Sequence, residues 1–299
     1  MNIQSLSIVV PTERCVNDCA FCVSKQHTED YGKNRMFPGN PEFHRAYRDF
    51  QKRMAFARDN GCNVVMLTGD GEPTQNKTFL TLFARANESL DKPFRHISIQ
   101  TAGAFLDEQF LTFLRDDVGV NTISLSLSAL HDAINAMYTG HPGQPINIAE
   151  LCHLIKEMDF NLRLSLNMTD AMADEMRTGA NQDPEYDARR LFNKACALGA
   201  DQATFRILYA DGNTPQAKWI GEHTAPKAAI QEIKEVIKKY GRPLERLAFG
   251  QMRYDVKGLS TVLDDDCMST EAKEELKYLI LRPNCKLYTK WDSTASLLF

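Results

Sequence analysis

Six short apolar runs mark the first two-thirds of the chain, at residues 5–10, 63–67, 95–100, 122–127, 161–166 and 202–208. They are rich in Ile, Val, Leu, Phe and Thr. Several are almost continuously apolar, as strands buried on both faces of a parallel sheet are. A helix-period segment follows each one. The clearest covers residues 41–60, where Phe43, Tyr47, Phe50, Met54 and Ala57 recur at three- and four-residue steps along one stripe. Asn40 reads as its N-cap, Pro41 suits the first turn, and Gly61 suits the stop. Asn147 with Glu150 opens another helix in a capping-box-like way, carrying Leu151, Leu154, Ile155 and Met158. Gly199 and Gly241 stand where the fifth and sixth helices should end.

Six β-α repeats in order predict a parallel sheet with right-handed crossovers. The pattern fits a doubly wound layer or a partial barrel, and in both a ligand binds at the C-terminal ends of the strands. Beyond residue 226 the pattern changes. An amphipathic helix with Ile230, Ile233 and Ile237 runs to Tyr240, followed by a strand-like run at 244–251, an acidic triplet at 264–266 and a short helix near 270–277. A hairpin then joins 278–281 to 286–291 through Arg282-Pro283-Asn284-Cys285. The expected organisation is a core of residues 1–225 and an α+β extension of residues 226–299. Tyr288, Trp291 and the segment 249–254 of that extension are expected to close the sheet and contact substrate. No repeat, low-complexity run or linker interrupts the chain.

The composition, 43% hydrophobic and 25% charged, is that of a globular domain able to bury a large core. A formal net charge of −4 argues against a surface built to coat nucleic acid. No apolar stretch approaches the roughly 20 residues that cross a bilayer. The first residues lack the basic and apolar regions of a secretory leader. Cysteines held as thiols then imply a reducing compartment, the cytoplasm.

Candidate chemistry begins at Cys15, Cys19 and Cys22, spaced C-x3-C-x2-C directly after the first strand. Three thiolates within eight residues suit a soft metal centre: zinc, copper(I) or an iron–sulfur cluster. His27 offers a fourth ligand for a zinc reading. A four-iron cluster would instead keep one iron corner open. The three cysteines of this run, an odd number with no secretory leader before them, argue against a disulfide reading of it. After the second strand comes Thr68-Gly69-Asp70-Gly71-Glu72-Pro73-Thr74. Its glycines permit close backbone approach, and Pro73 fixes the exit. By itself it also reads as an ordinary tight turn.

Together these motifs carry more. The cysteine run, with Phe21 immediately before its third cysteine, resembles the signature of the radical S-adenosylmethionine (radical SAM) superfamily. Gly71-Glu72-Pro73 resembles that family's glycine–glycine–glutamate motif, with Asp70 where the usual pattern has glycine. The resemblance covers about residues 3–225 and implies an α/β fold, a partial (β/α)6 TIM-like barrel. It implies that Cys15, Cys19 and Cys22 hold three irons of a [4Fe–4S] cluster while S-adenosylmethionine chelates the fourth. Reductive cleavage of the sulfonium would give a 5′-deoxyadenosyl radical that takes hydrogen from a substrate. An external one-electron reductant, such as flavodoxin or ferredoxin, is implied as partner.

The resemblance also nominates cofactor contacts. Glu72, with Gly69, Gly71 and Pro73, is expected to meet the methionyl ammonium. Phe21, Gln100, Thr101, Ser126, Ser128, Asn167 and Arg206 end or line strands where a cofactor would lie. Arg206 in an apolar strand needs a partner, such as a carboxylate of cofactor or substrate. Cys62, Cys152 and Cys196 read as core thiols, and Cys267 and Cys285 belong to no C-x2-C pair, so no auxiliary cluster is expected. Residues 281–288 loosely resemble the tail hairpins of the molybdopterin-type cyclase branch without their paired cysteines. The expected function is an enzyme acting on a small molecule or nucleotide. A peptide- or protein-modifying member is the alternative, disfavoured because the first strand begins almost at once and leaves no preceding recognition domain. A non-enzymatic iron–sulfur or zinc sensor is the alternative of another class.

Overall fold

A computed structural model describes residues 2–26, 29–178, 185–247, 251–264, 271–272 and 275–299. The main strands are β1 (Asn2–Val9), β2 (Val64–Thr68), β3 (His96–Thr101), β4 (Thr122–Leu127), β5 (Asn161–Asn167) and β6 (Gln202–Arg206). Five more follow: β7 (Gly241–Arg246), β8 (Met252–Val256), β9 (Leu259–Asp264), β10 (Glu275–Leu281) and β11 (Leu287–Tyr288). The longer helices are α1 (Phe43–Asp59), α2 (Lys77–Glu88), α3 (Asp132–Thr139), α4 (Ile148–Glu157), α5 (Arg189–Ala197), α6 (Pro215–His223) and α7 (Lys227–Tyr240). The six expected strands are all present, within a few residues of their expected ends.

The chain divides into two compact units. One comprises Met1–Val16, His27–Ile123 and Met268–Phe299; the other comprises Asn17–Gln26 and Ser124–Cys267.

In the first unit, β10, β1, β2 and β3 run parallel in that order. Alternation decides the faces. Leu6 and Ile8 of β1 align with Val65 and Leu67 of β2, and all four are fully buried. Ser5, Ser7, Met66 and Thr68 take the other face. Helix α1 buries Ala46, Phe50, Met54 and Ala57, and Phe50 meets Phe79 of α2 edge-on at 5.8 Å. Its N-cap is Glu42 rather than Asn40. Asn40 turns back instead, its Oδ1 accepting from the Glu42 N–H at 2.9 Å, an Asx turn that competes with capping.

The tail corrects a second expectation. Where a helix was expected near 270–277, the described residues are strand: Glu271–Ala272 is extended, and β10 begins at Glu275 and pairs parallel with β1, from Asn2 with Glu275 to Ile8 with Leu281. Leu276, Leu279, Ile280 and Leu281 suit a strand that satisfies its backbone through β1. The predicted hairpin forms, β11 pairing antiparallel with β10.

In the second unit β4 lies beside β5. β5, β6 and β9 run parallel, and β8 and β7 continue the sheet antiparallel. Leu162, Leu164 and Leu166 of β5 are fully buried, so Arg163, Ser165 and Asn167 occupy the opposite face. Asn147 caps α4 as expected, its side chain accepting from the Glu150 N–H. Gly241 does end α7, in an extended conformation at φ −81° that leads straight into β7. That strand therefore starts three residues before the expected 244–251. Phe249 and the acidic residues 265–266 lie outside the described residues.

Candidate active site

The C-x3-C-x2-C run passes from the first unit to the second between Val16 and Asn17. In the first unit, the loop after β1 is tied to the turn after β2 bond by bond. Val10 N–H donates to Thr68 O at 2.6 Å, and Asn76 Nδ2 donates to Pro11 O at 2.7 Å. Gln75 grips the loop twice: its Nε2 donates to Arg14 O at 3.1 Å, and its Oε1 accepts from Val16 N–H at 2.8 Å. Cys15 lies between these last two anchors.

The close approach explains both glycines. A Cβ on Gly69 would stand 2.8 Å from Val10 O. One on Gly71 would collide with Thr12 Oγ1 and reach Cys15 Cβ at 3.4 Å. The turn that looked ordinary by itself is therefore packed against the first cysteine of the metal motif.

Glu72 is buried at 3% exposure. Its Oε1 accepts from Thr74 N–H at 3.2 Å and from Thr74 Oγ1 at 2.8 Å, and its Oε2 accepts from Ala102 N–H at 2.8 Å. The carboxylate thus clasps the turn to the end of β3. Pro73, also buried, opens the short turn Pro73–Gln75. At the end of β3, Gln100 Oε1 accepts from Thr68 Oγ1 at 3.0 Å, whereas Thr101 is buried and its Oγ1 accepts from Gly103 N–H at 2.9 Å. Thr101 therefore braces its own turn.

Asp70 has a distant partner that the sequence did not suggest. Arg282, just after β10, places Nη1 3.2 Å from Asp70 Oδ2. The same guanidinium lies 3.4 Å over the Tyr31 ring and 5.6 Å from the Trp291 ring, and its Nη2 donates to Trp291 O at 2.7 Å. Tyr288 is buried and meets Tyr31 edge-on at 5.1 Å. Tyr31 and the tail's Trp291 thus cage the arginine that pairs with the glycine turn, and Tyr288 packs behind Tyr31.

In the second unit, Cys22 N–H donates to Cys19 O at 3.2 Å, and Cys22 Sγ lies 2.9 Å from Ser24 Oγ. Lys25 pairs with Asp18. That bond, with smaller contributions from the charges of Cys22 and Cys19, raises the lysine above its ordinary value. The segment is pinned through Asp18 N–H to Thr139 O at 2.9 Å, and Gly140, left-handed at φ +59°, leaves 2.7 Å between Asp18 O and any Cβ. Phe21 lies 5.8 Å from Trp219 of α6. Trp219 stacks on His223 and meets Tyr138 edge-on, while Asp170 accepts from Tyr138 Oη at 2.6 Å and lies 2.9 Å from His223 Nδ1.

The strand-end residues of this unit share one face. Asn167 Nδ2 donates to Ser128 Oγ at 3.2 Å, and Ser128 O accepts from Thr169 Oγ1 at 2.6 Å. Ser126, two residues earlier, is half-buried on that face. Arg206 aligns with Asn167 on one side and Asp264 on the other. The carboxylate that faces it is one of this chain's own, Asp264, 3.9 Å away, where the sequence suggested a carboxylate of cofactor or substrate.

The remaining thiols sort by burial. Cys15, Cys19 and Cys22 are half-buried and form no disulfide. Burial pushes Cys62 up to about 11 and Cys152 and Cys285 up to about 12, so these are inert core thiols. Cys196 is exposed, contrary to expectation, on the outer side of α5. Cys267 and His27, the proposed zinc ligand, lie outside the described residues. Among the described residues no three Cys, His, Asp or Glu side chains gather closely enough to hold a single ion. No helix among them is long and apolar enough to cross a membrane.

Comparison with known proteins places these features in context. The family model described as the radical SAM superfamily matches residues 9–176, more than half of the chain. No curated protein sequence matches. Among solved structures, Streptococcus suis SuiB bound to S-adenosylmethionine is 13% identical with a TM-score of 0.58, over 96% of this chain and 60% of SuiB. The complex of anSMEcpe with AdoMet and the Kp18Cys peptide is 14% identical with a TM-score of 0.60, over 99% of this chain and 77% of that one. Coproporphyrinogen III oxidase HemN of Escherichia coli is 14% identical with a TM-score of 0.52, over 81% and 54%. The chain thus spans three-fifths of SuiB and about half of HemN. At these identities the likeness is one of fold: mixed α/β with a large parallel sheet, the partial TIM-like barrel that the sequence predicted.

Proposed function

The chain belongs to the radical SAM superfamily, and from that premise we propose that Cys15, Cys19 and Cys22 hold its [4Fe–4S] cluster and that the substrate is a small molecule or nucleotide. It is an enzyme, and its cofactors are the cluster and S-adenosylmethionine. Bound together, these supply a 5′-deoxyadenosyl radical that removes a hydrogen atom from the substrate. The donor set fits the cluster: three half-buried cysteines in the family's spacing, none in a disulfide, while burial holds the buried thiols among the other described cysteines protonated.

The observation that carries the reading is the packing of Gly71 against Thr12 and Cys15. It joins the first cysteine to the turn that the family uses for the cofactor. Glu72 fixes that turn through Thr74 and Ala102, which leaves an acceptor lone pair on its Oε2 for the methionyl ammonium. Gly69 and Pro73 shape the turn, and Gln100 stands beside it through Thr68. In the second unit, Phe21, Ser126, Ser128, Asn167 and Arg206 offer one apolar ring and a row of polar groups to cofactor or substrate. Family enzymes need a one-electron reductant, and a flavodoxin or ferredoxin in a reducing, cytoplasmic setting would serve.

The test is anaerobic reconstitution. About four irons per chain are expected, with loss of the cluster in Cys15→Ala, Cys19→Ala or Cys22→Ala. Near eight irons would mean a second cluster, and one zinc without sulfide would overturn the ligand assignment.

A further inference from the structure

The polar face of the second unit carries an excess of arginine that the cofactor assignment leaves unexplained. Arg163 of β5 is level with Gln202 of β6 and two residues below Ser165 on the face that holds Asn167. Its Nε donates to Gln202 Oε1 at 2.8 Å, a neutral partner. The charges acting on it are those of Arg206 and Arg253. Together with burial, which is the larger effect, they push its pKa down, and no carboxylate offsets them. Arg206 faces Asp264 at 3.9 Å, too long for a hydrogen bond, and its Nε is buried without a partner. Arg253 reaches Glu245 with Nη2 at 3.1 Å, and its Nε is likewise buried without a partner. Asp264 also accepts from Gln251 Nε2 at 3.1 Å. Among the described residues three guanidinium groups therefore share two carboxylates, and two N–H donors have no hydrogen-bond partner.

Burying a cation among like charges is unfavourable unless a counter-charge arrives. Guanidinium donors in a fixed fork match the paired oxygens of a carboxylate or phosphate. We propose that Arg163, Arg206 and Arg253 form an oxyanion site that takes a carboxylate or phosphate of the substrate. The proposal rests on the radical SAM reading and narrows its substrate to an anionic molecule. One oxyanion there would pair with Arg163 and receive the free Nε donors of its neighbours. Charge on the substrate also gives this face a reason to carry arginine where the opposite face of β5 carries three leucines.

The experiment is a titration of iron-loaded protein saturated with S-adenosylmethionine. Inorganic phosphate and malonate are added separately, with ionic strength held by sodium chloride. At least one should bind saturably, and Arg163→Gln and Arg253→Gln should each weaken it roughly tenfold or more. Iron content and S-adenosylmethionine affinity should stay at wild-type levels in both. Binding of phosphate alone assigns a phosphoryl substrate, and binding of malonate alone a carboxylate. Because Arg163 is repelled by its neighbours, Arg163→Gln should melt no lower than the wild type. Absence of saturable binding, equal binding by both variants, or unfolding of both would overturn the proposal. So would a parallel loss of S-adenosylmethionine affinity, which would give the arginines to the cofactor carboxylate. Failure of the cluster assignment would appear separately, as wild-type protein without its four irons.

Discussion

Replacing Arg282 with methionine tests how the tail supports the glycine turn. The arginine is 5% exposed, whereas its partner Asp70 is 53% exposed. Solvent therefore screens the ion pair, which should contribute about 0.5 kcal/mol. The hydrogen bond to Trp291 O is charge-assisted and buried, so about 1.5 kcal/mol is expected there. The Tyr31 ring, 3.4 Å below the guanidinium, adds about 1 kcal/mol. Arg282→Met should then destabilise by about 3 kcal/mol, and at about 2 °C per kcal/mol for a chain of this size Tm should fall by about 6 °C. Asp70→Asn keeps the cage and loses only the ion pair, so it should cost about 1 °C. The double variant should be less destabilised than additivity predicts, because the two residues interact directly. S-adenosylmethionine affinity, read by calorimetry on iron-loaded protein, should fall in both single variants while iron content holds. Equal Tm losses in the two, or strict additivity in the double variant, would refute the reasoning.

Gly71→Ala drives a Cβ into Thr12 and toward Cys15, so it should lower both S-adenosylmethionine affinity and iron retention, measured by calorimetry and iron assay; normal values would detach the turn from the cysteine loop. Glu72→Gln turns one acceptor of three protein donors into a donor, which should cost about 1–3 kcal/mol in a denaturant titration and weaken cofactor binding with iron intact. Burial raises the phenol of Tyr31 (Arg282 pulls it partly back), and burial followed by the bond to Asp170 raises that of Tyr138. Unfolded chains release these protons near pH 10 and the folded protein holds them longer, so stability present below about pH 10 is lost as pH rises further. Urea midpoints at pH 9 and 11 should differ for this reason, and Tyr138→Phe should flatten the slope; no difference in the wild type would refute the assignment.

Much of this was legible in the sequence because two periodicities were strong. The apolar runs of β1 to β6 and the capped helix α4 are local signals, and the structure keeps them. Cys15, Cys19 and Cys22 stand out as candidate ligands in the sequence because such a spacing of thiols has few other uses. β10 was misread because Glu275-Leu276-Lys277 mixes charge with apolar residues, and its preference for a strand comes from a β1 edge that lies far away in sequence. Arg282 and Asp70 could not be paired for the same reason, since 212 positions separate them. Arg163 was the more accessible miss. The alternation Asn161-Leu162-Arg163-Leu164-Ser165-Leu166-Asn167 already puts it on the face of Asn167, which had been nominated.

The parallel pairing of β10 with β1 also sets a timetable for synthesis. Ser5 Oγ bonds Lys277 O across 272 positions, and β1 has no neighbour on that side until residues 275–281 have been made. At about 5–20 residues per second the ribosome takes roughly 15–50 s to cover that interval. Through all of it one edge of β1 stays open, with the three thiols a few residues downstream on a loop whose first unit is unfinished. Such an edge is a template for wrong partners. A chaperone that shields the first thirty residues would therefore act on the nascent chain, whereas an iron donor would find the first unit complete only after the tail has paired with β1.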